Sequence, residues 1–297
     1  MSAAIGWGNY MPAPVQSSNA VWEGEQIDLD EKQLNDEGRR IWDGKARFWD
    51  GLHGDRGNSF HQRLIEPSVL RLLDLCAGER VLDIGCGNGA LARQMACLGA
   101  EVNAIDFSPK MIELAKQRSV AGTAIHYNMV DATDESALLR LGERKYDAIT
   151  CTMALMDMPV IAPLFRAASQ LLKKAGCLVF ATAHPAFNSN NPVFLHEKED
   201  RAGVITDLYA VKIYAYLDMP PVKGSGAPGE PMPHTYYHRP LSELLADAFG
   251  AGFVLDALLE PAFTQTDADR AKGLTWAKMR QIPPGLTGRL RLLPESG

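Results

Sequence analysis

Glycines at alternate positions follow an apolar run in Val81-Leu82-Asp83-Ile84-Gly85-Cys86-Gly87-Asn88-Gly89. Glycine permits a sharp turn and lets main chain approach a ligand closely, with the N-terminus of the next helix behind it. The chemistry this suits is the cradling of a nucleotide-type cofactor. The same stretch also fits the dinucleotide spacing as Gly85-x-Gly87-x-x-Ala90, so the loop alone leaves the cofactor open. A purely structural glycine turn is the bland alternative.

Acids at three further places narrow the choice. Asp83 stands just before the first glycine, where a carboxylate repels a pyrophosphate but suits a ligand carrying an ammonium and a sulfonium. Asp106 falls at the end of the second predicted strand, where a carboxylate accepts both hydroxyls of a ribose, a device NAD enzymes share. Asp131, in Val130-Asp131-Ala132, is placed for an adenine amino group. Each alone reads as a solvated loop acid. Together they mark the carboxyl ends of strands, beside the crevice where open α/β sheets bind ligands.

The elements that must hold these groups are legible as an alternation. Strands are expected at 81–84, 101–105, 124–129, 146–152 and 177–183. Helices are expected at 90–98, after Ser108-Pro109, and at 161–174 with Lys173 and Lys174 at its negative end and Gly176 as its stop. Such alternation predicts a doubly wound, mostly parallel sheet covered on both faces. Upstream, Ile41, Trp42, Phe48 and Trp49 recur at seven-residue spacing on a helix over 36–50, and a shorter helix is expected over 67–75. Residues 1–33 read as an irregular tail and 34–297 as one domain. The rhythm breaks at 185–240, read as a cap with strand structure around 204–216 and a mobile Gly/Pro turn at 224–233. A helix at 241–249 and strands at 254–260 and 286–293 close the chain.

These segments resemble the successive motifs of class I S-adenosylmethionine-dependent methyltransferases, particularly the group containing the ubiquinone and menaquinone C-methyltransferases. Val81 to Gly89, Asp106-Phe107-Ser108-Pro109-x-Met111, Asp131-Ala132 and Tyr146-Asp147-Ala148-Ile149 carry the resemblance, which covers residues 36–183 best. It implies an α/β Rossmann-like fold with a seven-stranded sheet whose last strand is antiparallel, an N-terminal helical lid and a cap after strand 5. It also implies S-adenosylmethionine as cofactor, with Gly85, Cys86 and Gly87 beside the methionine part and Asp106 on the ribose. Phe107 and Met111 would then sandwich the adenine, Asp131 and Ala132 would read its edge, and Thr152 and Met153 would floor the sulfonium. Trp49 resembles the lid aromatic of such enzymes, although packing explains it equally.

Methyl transfer from a sulfonium is an in-line displacement, so alignment supplies much of the rate and no catalytic triad is required. A general base is needed only for an acceptor whose pKa lies well above the working pH. His184, after the fifth strand, is the candidate base or orienting group, against a structural histidine at a strand end. Tyr236, Tyr237 and His238 are candidates for closing the acceptor pocket, with anchoring of the helix at 241 as the alternative for His238-Arg239. His53, Asn58 and His61 are weaker candidates. The histidines lack metal-ligand spacing, so no metal is expected; a site built from Asp157, His184 and Asn188 is conceivable but nothing demands it.

Bulk properties set the frame. The net charge of −6 argues against nucleic acid as the main partner, and a small-molecule acceptor is expected. An odd count of 5 cysteines without CxxC pairs reads as reduced thiols, and no apolar run reaches a bilayer-spanning length. With no signal-peptide pattern at the N-terminus, a cytoplasmic protein is expected, a homo-oligomer being compatible. An NAD(P)-dependent oxidoreductase, a non-catalytic cofactor-binding protein and a protein-methylating enzyme are the rival functions.

Overall fold

The computed structural model describes residues 30–188 and 192–292. Most of the expected tail, 1–29, therefore lies outside the described residues. Helix α1 (Glu31–His53) begins earlier than its aromatic spacing suggests, because Asp30 caps it. The Asp30 carboxylate accepts the Gln33 N–H at 2.8 Å, and the Gln33 side chain accepts the Asp30 N–H at 3.0 Å. A π-helical turn, His61–Ile65, leads directly into α2 (Glu66–Leu73), which ends on left-handed Asp74.

The alternation then runs β1 (Arg80–Ile84), α3 (Ala90–Cys97), β2 (Glu101–Asp106), α4 (Pro109–Arg118), β3 (Ile125–Met129), α5 (Glu135–Leu139), β4 (Tyr146–Thr152), α6 (Ala162–Leu171) and β5 (Leu172–Ala183). Ser108 caps α4 as its sequence requires, its hydroxyl accepting the Met111 N–H at 3.1 Å. The end of α6 differs from expectation. Leu172 is already extended and pairs with Tyr146, so Lys173, Lys174 and Gly176 belong to β5 rather than to a helix terminus. Lys173 finds its counter-charge on the neighbouring strand, donating to both Asp147 oxygens at 2.7 and 2.8 Å.

After β5, β6 (Val193–Arg201) and β7 (Val204–Lys212) form an antiparallel hairpin turning at Ala202-Gly203, both at positive φ. Two short strands, β8 (Val222–Gly224) and β9 (His234–Tyr236), pair beyond it. Helix α7 (Leu241–Gly250), β10 (Phe253–Leu259), α8 (Gln265–Arg270) and β11 (Gly285–Leu292) complete the order.

Seven strands form the main sheet in the order β10-β11-β5-β4-β1-β2-β3, with β1 to β5 mutually parallel and β11 antiparallel to both its neighbours. Alternate residues feed opposite cores. Val81 and Val102 pack with Met95 and Ile112 on one face, while Leu82, Ile84 and Ile105 pack with Leu164, Phe165 and Leu244 on the other. Burying each such aliphatic side chain contributes about 1.5–3 kcal/mol. This doubly wound arrangement aligns the carboxyl ends of β1 to β5 along one edge.

Candidate functional site

A cavity of about 250 Å³ opens along that edge. Its wall begins with the glycine loop. Gly85 has φ +68°, and a Cβ there would sit 2.7 Å from the Ala154 Cβ, so only glycine fits. Gly87, at φ +54°, has no atom within 4 Å of where a Cβ would stand, which leaves space beside it in the cavity wall.

Asp106 is buried at the end of β2, and its two oxygens accept the N–H of Gly87 and of Ser108, each at 2.9 Å. Burial pushes its carboxyl up to about 6, against the pull of those two N–H groups. Asp131 accepts from the Thr133 N–H at 2.9 Å and its hydroxyl at 2.7 Å, and from the Asn35 amide of α1. Asp106, Phe107, Met111, Asp131 and Ala132 all line the cavity, as do Gly85, Cys86, Gly87, Thr152, Met153 and Trp49.

Asp83 is placed differently from expectation. It is 1% exposed and is not among the lining residues. Because β1 is a buried central strand, the side chain points into the core, where Thr150 donates to Oδ1 at 2.7 Å. Its Oδ2 has no hydrogen-bond partner among the described residues. Burial pushes this carboxyl up to about 7, with Asp106 adding to the rise and Thr150 opposing it.

His184 is the second correction. It is 2% exposed and does not line the cavity, although Ala183 and Pro185 do. Both ring nitrogens are engaged: Nδ1 accepts the Ala186 N–H at 3.2 Å, which leaves Nε2 to donate to Glu260 at 2.9 Å. A ring so held fixes the turn after β5. The magnesium grouping fails with it, and no cluster of three metal-ligating side chains occurs among the described residues.

Tyr236, Tyr237 and His238 line the cavity. The His238 Nε2 is spent on the Tyr216 carbonyl at 2.6 Å, and Arg239 donates to the carbonyls of Leu155, Met158 and Pro159. His238-Arg239 therefore anchors the cap to the segment after β4. His53 and His61 also face the cavity, their rings 4.6 Å apart; burial lowers His53 far and His61 to about 4, so both are neutral at pH 7.

A charged array at the other side of Trp49 escaped the sequence reading. Lys45 of α1 is fully buried, 2.7 Å from the Glu230 carboxylate, over the Trp42 ring, and against Nδ1 of His234. Glu230 also accepts the Trp49 indole N–H at 2.8 Å and the Gly226 N–H at 2.6 Å. His234 Nε2 lies 3.5 Å from Asp157, and both residues line the cavity. The Gly/Pro turn at 224–233, expected to be mobile, is thus pinned by its own glutamate. One signal was available: Lys45 sits within the apolar stripe of Trp42, Ala46 and Trp49, where a lysine needs a buried partner.

Residues 82–180 match the methyltransferase domain family. An S-adenosylmethionine-dependent methyltransferase from Mesorhizobium loti superposes with a TM-score of 0.60 at 25% identity, over 76% of this chain and 96% of that one. This chain therefore carries a methyltransferase domain over residues 82–180. The sheet order, with its antiparallel last strand between β5 and β10, agrees with the fold that the sequence resemblance implied.

S-adenosylmethionine is the cofactor of this methyltransferase domain, and the cavity suits it. Asp106 and Asp131 face the space and Asp83 stands behind it, a field for a cation, while Phe107 and Met111 offer apolar surface. Among curated relatives, the ubiquinone biosynthesis O-methyltransferase of Xanthomonas axonopodis pv. citri is 39% identical over 107 residues, 36% of this chain and 44% of the relative. That of Thiobacillus denitrificans is 35% identical over 147 residues, 48% of this chain and 57% of the relative. The chain thus spans about half the length of the curated relatives it matches. No described helix is long and apolar enough to cross a membrane.

Proposed function

We propose that the chain transfers the methyl group of S-adenosylmethionine to a small acceptor held in the cavity under residues 185–240. The observation that carries this is the convergence of Gly87 with the space beside it, Asp106, Asp131 and the Phe107–Met111 pair on one cavity. Gly85, Cys86 and Gly87 would flank the methionine part and Asp106 would hold the ribose. Phe107 and Met111 would enclose the adenine, Asp131 and Ala132 its edge, and Thr152 and Met153 the sulfonium. Trp49, tied to Glu230, would close the lid.

The acceptor's place is between Asp157, His234, Tyr236 and Tyr237, whose aromatic rings favour a planar molecule. Oxygen is the proposed acceptor atom, in line with the O-methyltransferase name of the curated relatives. The unbridged thiols of all 5 cysteines fit a cytoplasmic setting.

Calorimetry with S-adenosylmethionine and with NADH tests the assignment. Binding of the first and not the second is expected, and Asp106→Ala should weaken it by about 1.5–3 kcal/mol, the scale of hydrogen bonds to charged groups. Tight NADH binding with no affinity for S-adenosylmethionine would establish an oxidoreductase instead.

A further inference from the structure

His234 and Asp157 line the cavity near Trp42, and the fully buried Lys45–Glu230 pair packs against His234. Lys45 and Glu230 neutralise one another at 2.7 Å with no solvent exposure. Arg239 is committed to main-chain carbonyls on either side of Asp157, while His234 Nε2 faces that carboxylate at 3.5 Å. His234 lies between two carboxylates, its Nε2 3.5 Å from Asp157 and its Nδ1 3.5 Å from Glu230. Burial works against its charged form, but the two carboxylates win and raise the imidazole from its ordinary value. At 3.5 Å the Asp157 contact is long for a hydrogen bond, and Asp157 Oδ1 has no hydrogen-bond partner among the described residues. The His234 ring is flanked by Trp42 at 5.1 Å and Tyr236 at 4.2 Å.

We propose that Asp157, positioned by His234, is the acceptor-binding carboxylate, and that the acceptor is a hydroxyl on a small planar molecule. This rests on methyl transfer being the reaction of the cavity. The hydroxyl donates its hydrogen bond to Asp157, and the ring lies against Tyr236 and Trp42. As transfer proceeds, the oxygen–carbon bond forms and the carbon–sulfur bond breaks, its electron pair staying on sulfur. The oxygen–hydrogen bond breaks last, its electrons staying on oxygen and its proton passing to Asp157. Oxygen gains positive charge as it takes the methyl group, so its proton becomes acidic enough for a carboxylate. His234 holds the carboxylate through Nε2–H, and the Lys45–Glu230 pair holds His234.

Binding measured on the full chain loaded with S-adenosylhomocysteine tests this, with catechol and 1,2-dimethoxybenzene as probes. The wild type should prefer catechol by about tenfold or more, the scale of a hydrogen bond to a charged group. Asp157→Asn should abolish the preference while leaving the affinity for S-adenosylhomocysteine unchanged. His234→Gln, which keeps an N–H donor, should retain most of the preference that His234→Ala loses, an outcome that a merely structural histidine would not give. In the wild type, catechol and not the ether should move the His234 imidazole nitrogen resonances, a readout independent of whether any variant folds. Equal binding of the two probes, neither probe binding, or His234 resonances indifferent to catechol would overturn the assignment to Asp157. Failure of the wild type to bind S-adenosylhomocysteine at all would instead remove methyl transfer itself.

Discussion

Lys45 and Glu230, far apart in the chain, meet at 2.7 Å with neither side chain exposed. The pair fastens α1 to the segment between β8 and β9. Such a pair offsets its own desolvation only while both partners are present. Burial lowers the Lys45 ammonium from its ordinary value, opposed by Glu230. Burial works against the Glu230 carboxylate too, but its His234 and Lys45 partners win and hold it down to about 2.

Removing one partner should therefore be far worse than removing both. Lys45→Met or Glu230→Gln alone is expected to cost about 3–5 kcal/mol in denaturant unfolding, because each strands a buried charge. The double substitution should recover a large part of that loss. Additive losses would show that the pair does not act as a unit.

The affinity for S-adenosylmethionine should rise with pH between about 5.5 and 7.5. Burial holds the Asp106 and Asp83 carboxyls up at about 6 and about 7 in the ligand-free protein. A cation beside them favours their ionised forms, so binding expels protons in that window. Calorimetry in buffers of different ionisation enthalpy measures the release directly. An affinity flat across the window would show that neither group titrates there.

The same two groups fix a sign for stability without ligand. Both hold protons in the folded chain above the value of about 3.9 for an unfolded aspartate. Folding then takes up protons between about pH 4 and 7, and stability falls as pH rises through that range. Asp83→Asn should flatten part of this slope. Unfolding midpoints recorded at each pH check it, and a rise in stability over the interval would contradict it.

His184→Ala should destabilise the chain by about 1–3 kcal/mol, since it leaves the part-buried Ala186 N–H without its acceptor. The turnover of the molecules that stay folded should be near that of the wild type. A selective loss of turnover at unchanged stability would restore this histidine as a base.

The central strands were legible because each is a short, mostly apolar run that stops at the cavity edge, as Ile84 gives way to Gly85 and Ile105 to Asp106. The glycine-loop wall of the cavity was legible for the same reason, being built from strand ends adjacent in sequence to the motifs. The corner around His234 was not. His234 and Glu230 reach Lys45 and Asp157 only through the path of the chain after β5, which no local period encodes. Asp83 and His184 misled because residue type and position along a strand do not say which face is open: both point into packed interior. The extent of α6 misled because Lys173 pairs with Asp147 across strands, a contact that a helix-end lysine imitates in sequence.

A crystal structure of the full chain with S-adenosylhomocysteine examines the central claim most directly. The ribose hydroxyls should lie within hydrogen-bond distance of Asp106, the adenine between Phe107 and Met111, and the sulfur toward Thr152 and Met153. A nucleoside bound elsewhere on the chain, or a diphosphate lying over the glycine loop, would contradict it.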